Sequence, residues 1–167
     1  LTGHKNTDEV LAPVHEALKN AETVLLLNDF TGGAKATGTK SGVYTVNAKY
    51  AGEQGNNISV SFVPSPLADG ANTQDVTVTT IFGTKQVDQV KITLPKANTD
   101  AIAKAGLTKE EQLEIHNDYV DITFGTPAEV TSELVAKGEY PLYTAIFNGL
   151  TQSATNVTLT GGTNGTN

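Results

Sequence analysis

Residues 32–42 read "GGAKATGTKSG" and residues 43–50 read "VYTVNAKY". The fold class turns on this join. The glycine-rich half resembles a phosphate-binding loop, because it follows the apolar run "TVLLL" (23–27) and carries Gly33 and Gly38 ahead of Lys40 and Ser41. A phosphate loop places glycine, four residues, glycine, then lysine and a hydroxyl. Here Thr39 separates Gly38 from Lys40 and shifts both groups by one position. Such a loop must also open a helix, whose N-terminal N–H groups and dipole hold the phosphate. The segment that follows has a period of two instead, with Tyr44, Val46, Ala48 and Tyr50 on one face, the pattern of a half-buried strand. The glycine stretch is therefore expected to be a joint rather than a ligand site.

Downstream of the joint the period of two recurs. Ile58, Val60 and Phe62 alternate, as do Val76, Val78 and Phe82, then Val90, Ile92 and Leu94, then Val120, Ile122 and Phe124, and finally Val157 with Leu159. Together with 44–50 this makes six segments with one apolar and one polar face, which argues for an antiparallel sandwich or barrel. "FGTKQ" (82–86) reads as a tight hairpin with Gly83 in its turn. "AGEQGNNISV" (51–60) reads as a hairpin loop between the first two alternating segments, and 64–75 as a loop. Tyr44 and Tyr50 are assigned to the core face, while Tyr140 and Tyr143, beside Pro141, are candidates for an exposed patch.

Helical signals flank and interrupt this pattern. Residues 6–20 carry Val10, Leu11, Val14, Ala17 and Leu18 at helical spacing, with Pro13 as a kink or first-turn residue, and "AETVLLLND" (21–29) follows as a buried strand. "TKEEQLEIH" (108–116) opens with Thr108 and Glu111 in a capping box, and "PAEVTSELVAKG" (127–138) starts on proline and stops on glycine, so both are expected to be short helices. The fold class is accordingly α+β but mainly β: a sandwich or barrel with short helices, preceded by a helix–strand piece of an α/β domain. The expected organisation is 1–38 as that piece, 39–160 as the sandwich and 161–167 as a linker toward a further C-terminal domain. The chain begins at Leu1 and ends in "TGGTNGTN", and it is taken to be part of a longer protein.

Charge and chemistry narrow the function. The net charge is −7, with no arginine, the opposite of a nucleic-acid or anionic-membrane binder. No apolar run approaches the ~20 residues of a membrane-spanning helix. The absence of cysteine rules out disulfides and thiolate metal sites. His4, His15 and His116 match no compact metal spacing. His116 is expected at a helix C-terminus, where the dipole favours its proton. Asp118 and Asp121, like Glu110 and Glu111, read as solvated faces, and no serine sits in a nucleophile elbow. No catalytic, cofactor-binding or metal-binding residue is nominated.

Three landmarks carry a resemblance. Tyr50, Gly52, Gly55, Asn56 and Ile58 reproduce a Tyr-x-Gly-x-x-Gly-Asn-x-Ile element, with Ala51 where proline is frequent and Gln54 where a basic residue is frequent. Gly33–Ala36 matches a Gly-x-Lys-Ala element, and "LTGGTNG" (159–165) matches Leu-x-Gly-Gly-x-Asp/Asn-Gly. In this order the landmarks resemble the contractile tail sheath proteins of phages and phage-like particles. The resemblance implies a structural subunit, not an enzyme, with its sandwich exposed on the outside of a tube and contraction by rearranged subunit contacts. It implies other sheath subunits and the tail tube as partners of the full-length protein, a virion tail location after assembly in the host bacterial cytoplasm, and a monomeric fragment. No cofactor is implied. The competing reading is a sandwich adhesin that recognises a surface glycan or protein, although aromatics are only 6% and tryptophan is absent.

Overall fold

The computed structural model describes residues 32–71, 73–95, 113–125 and 141–165. The expected helices at 6–20 and 127–138, the strand at 21–29, His4, His15, Glu110, Glu111 and Tyr140 lie outside the described residues. Among the described residues, eight strands form two four-stranded sheets in which every pair is antiparallel. The mainly-β expectation is borne out. Sheet one has the order β1 (Lys35–Lys40), β2 (Tyr44–Ala51), β7 (Val120–Phe124), β6 (Glu114–His116). Sheet two has the order β5 (Lys85–Pro95), β4 (Thr73–Phe82), β3 (Ile58–Pro64), β8 (Thr155–Thr158). Helix α1 (Pro141–Thr151) precedes β8.

All six alternating segments are strands, and their apolar faces meet. Val46, Val60, Phe62, Val76, Val120, Ile122 and Phe124 are completely buried. The centre is aromatic. The Phe62 ring of sheet two stacks on Tyr44 of sheet one at 4.4 Å between centroids and meets Phe124 edge-on at 6.0 Å, both favourable ring geometries. Tyr44 and Phe124 are themselves cross-strand partners. Helix α1 adds Ile146, Phe147 and Leu150 to the same core, an i, i+1, i+4 stripe along one helix face. Lys40 donates from Nζ to the carbonyl of Gly149 at 2.8 Å, placing a cation at the helix C-terminal end, where the dipole favours it.

Several expectations are corrected. The glycine stretch is not a joint: Lys35–Lys40 is strand β1, paired with β2. Small residues hid it, because its inward positions are Ala36 and Gly38. They are small for a reason: a Cβ on Gly38 would lie 2.4 Å from Val157 Cγ2 and 3.0 Å from Leu159 Cδ2. Residues 51–57 are not a hairpin loop. Glu53–Asn57 is a short 3₁₀ helix that carries the chain from sheet one into sheet two. Tyr50 is not core but 43% exposed. The β1–β2 register slips between Lys35↔Ala51 and Thr37↔Asn47, and a bulge of this kind breaks alternation. Glu114–His116 is a strand rather than the end of a helix, its signal being the period-two pair Leu113 and Ile115 packed on the core. Tyr143 lies within helix α1, and the expected exposed patch falls outside what is described. The hairpin at Gly83 is as expected, with Phe82 opposite Lys85 and Gly83 at φ 63°.

Candidate functional site

The two ends of the sandwich meet. After β8 the chain turns onto β1 and bridges the two sheets. Thr37 and Thr160 exchange N–H···O bonds of 2.8 and 3.0 Å, and Ala34 and Thr163 exchange a pair of 3.1 Å each. The segment that brings the chain into the sandwich and the segment that takes it out thus run antiparallel, hydrogen-bonded side by side, and form a neck. The boundary expected at 38/39 falls inside β1, and the expected linker from 161 is docked on the sandwich at least as far as Asn164.

The sequence between Gly52 and Asn57 locks this neck. The Ala34 carbonyl accepts from both Gly52 N–H and Thr163 N–H, each at 3.1 Å, so both of its lone pairs are used. Asn56 imitates a neighbouring strand: its Nδ2 donates to the Gly162 carbonyl at 2.9 Å while its Oδ1 accepts from Gly162 N–H at 2.8 Å. Asn164 reciprocates, accepting from Glu53 N–H at 3.1 Å. Only glycine fits at 162, because a Cβ there would lie 2.4 Å from the Gly52 carbonyl oxygen. All three landmarks, 33–36, 50–58 and 159–165, are therefore gathered into one structure. These residues stand out in the sequence, but their junction does not.

Away from the neck, the outer face of sheet one carries a row of charges. Lys49 Nζ and His116 Nδ1 both reach Asp121 Oδ1 at 2.7 Å, and His116 Nε2 reaches Glu114 Oε2 at 3.0 Å. Hydrogen bonds to Asp121 first, and to Glu114 second, raise the His116 pKa above its ordinary 6.5. The expected dipole origin is thus replaced by carboxylates on neighbouring strands. Partial burial pushes Asp121 up, but the hydrogen bonds from Lys49 and His116 outweigh it and hold the carboxyl below its ordinary value. The Lys49 pKa is raised chiefly by its bond to Asp121. Asn117 fastens the sheets on the side opposite the neck, with Nδ2 at 3.1 Å from Thr80 Oγ1 and 2.9 Å from Asp88 Oδ2.

No arrangement for chemistry emerges among the described residues. No three His, Asp or Glu side chains there are placed to hold a metal ion, and no described helix is long and apolar enough to cross a membrane. Asp118 lies in the β6–β7 turn and Asp121 on β7. A groove of about 450 Å³ between the β3–β4 loop and α1 is lined by Pro64, Pro66, Leu67, Phe147 and Gln152 among others, none of them ionisable.

No family profile and no curated protein matches the chain. Among solved structures, the sheath tail protein of Desulfitobacterium hafniense is 27% identical, with a TM-score of 0.43, over 98% of this chain and 29% of that one. The sheath tail protein of Listeria innocua is 25% identical, with a TM-score of 0.43, over 96% of this chain and 27% of that one. The chain spans less than a third of the length of either. It is similar to sheath tail proteins.

Proposed function

We propose that residues 33–165 are a module inserted into a larger structural subunit of a contractile tail sheath, carried on the paired strands of the neck. The supporting observation is the reciprocal pairing of Ala34 with Thr163 and of Thr37 with Thr160. A module whose two ends lie together can be spliced into a host domain without disturbing it. The sequence landmarks of the sheath resemblance are the residues that build this junction, so a shared sequence pattern and a mechanical purpose coincide in one place.

In this reading the helix–strand piece before residue 33 and the chain beyond 165 belong to the host domain. The sandwich projects outward, and its acidic surface keeps neighbouring modules from sticking. The subunit does its work by changing contacts with other sheath subunits around the tail tube, between two packings of the same fold. It is a structural part and not a catalyst. The test is negative-stain microscopy of the full-length protein that contains this chain. Tubes or rings are expected, and they should persist when residues 33–165 are replaced by a short glycine–serine connection. A full-length protein that stays monomeric and binds a glycan array would overturn the proposal in favour of the adhesin.

A further inference from the structure

Strand β6 is three residues long and, among the described residues, lies at the edge of sheet one. Its pairing with β7 covers only Glu114↔Thr123, Ile115↔Ile122 and His116↔Asp121. Two of its side chains face solvent, and only Ile115, with Leu113 just before it, packs on the core. So short a strand has little burial to hold it. What it has in addition is the imidazole of His116, with a carboxylate oxygen at each ring nitrogen, 2.7 Å from Nδ1 and 3.0 Å from Nε2. An ionised carboxylate only accepts hydrogen bonds, and a neutral imidazole has a single N–H. Both contacts are hydrogen bonds only when the ring is the doubly protonated imidazolium. In the neutral ring, one nitrogen lone pair would face a carboxylate.

We propose that β6 is a proton-controlled latch: imidazolium His116 ties it to Asp121 of β7 through a charge-assisted hydrogen bond, and loss of the ring's charge weakens that tie and lets the strand open more often, hinged at Asn117. Among the described residues, the charged groups around the ring are Glu114 on β6, Asp121 on β7 and Lys49 on β2, with Asp118 in the β6–β7 turn close enough to act on Lys49. The Glu114 contact lies within β6, so the tie to β7 is the bond to Asp121: when the proton leaves, that bond loses its charge assistance and Asp121 keeps Lys49 as its cation. The hinge stays fixed because Asn117 holds Val120 through its backbone N–H and reaches Thr80 and Asp88 across the sandwich. Release uncovers the backbone groups of β7 on that side, an unpaired sheet edge.

The direction with pH follows from the raised His116 pKa. The clamp is complete below the unfolded value of 6.5 and is lost as pH rises through the higher folded value. At the acid end the lowered Asp121 pKa acts oppositely: its contribution is present above the ordinary 3.8 and lost as pH falls through the folded value. The latch is therefore fully closed between these two ordinary values.

The experiment is millisecond amide exchange on the 167-residue chain at about pH 6 and about pH 9, with each rate divided by the intrinsic rate at that pH. The Phe124 amide, which donates to the Leu113 carbonyl, is expected to lose protection by about threefold or more at the higher pH, while amides of the β3–β4 pair are unchanged. His116→Gln should give protection that no longer varies with pH. The His116 side chain is 56% exposed, so the substitution is not expected to perturb the core. In parallel, ¹⁵N shifts of the ring should show both nitrogens protonated at about pH 6 and the loss of one proton tracking the loss of protection. Unchanged protection in the wild type, the same pH dependence in His116→Gln, or a singly protonated ring at about pH 6 would each overturn the proposal.

Discussion

Phe62→Ala is expected to destabilise the sandwich by about 3–5 kcal/mol, the largest single effect in the core. Phe62 is fully buried, and its ring in sheet two contacts both the Tyr44 and Phe124 rings of sheet one. Its removal opens a cavity between sheets whose backbones are tied at the neck on one side and through Asn117 on the other, so the walls cannot close in. The melting temperature should fall by roughly 10 °C or more. Phe62→Leu, which keeps most of the volume, should lose no more than about 1.5 kcal/mol. Equal losses in the two variants would show that the ring contacts are not what joins the sheets.

Gly162→Ala is expected to cost about 2–3 kcal/mol although it adds only one methyl group. The new Cβ would lie 2.4 Å from the Gly52 carbonyl oxygen and 3.1 Å from both Ala36 Cβ and Asn56 Oδ1. The oxygen belongs to the backbone and cannot swing away, so the segment must shift off Asn56 and lose its paired bonds to that side chain. Asn164→Ala, which removes one exposed hydrogen bond to Glu53 N–H, should cost less than about 1 kcal/mol. Denaturant unfolding compares the two directly. If the alanine at 162 is harmless, the close packing of the neck is wrong.

The strands with large inward residues were legible in the sequence, because a half-buried strand alternates wherever its inner face carries bulk: Val46, Phe62, Val78 and Ile122 mark four of them. β1 was not legible. Its inner face is Ala36 and Gly38, chosen for close approach to the β8 side, and glycine reads locally as flexibility. Helix α1 had a usable signal in Ile146, Phe147 and Leu150, overshadowed by the Tyr140–Pro141–Tyr143 cluster. The neck was legible as residues but not as an object. Gly52, Asn56 and Gly162 stand out as turn-forming residues, yet Asn56 acts on a segment 106 positions away, and no local pattern encodes such a distance. His116 illustrates the opposite error. Its elevated pKa was expected in direction, but the cause lies in Asp121, five residues on across a hairpin, and not in a helix dipole.

The pairing of the two ends is the point on which the sandwich, its locking residues and the inserted-module reading all depend. Ala34 and Thr163 are the outermost bridged pair, and hydrogen-bonded antiparallel partners stand about 5.5 Å apart between Cα atoms, within disulfide reach. The chain contains no cysteine of its own, so the double variant Ala34→Cys, Thr163→Cys has one possible intramolecular bridge. Mass spectrometry after mild oxidation at low protein concentration should find that bridge formed nearly completely within single chains. Free thiols, or bridges only between chains, would contradict the neck.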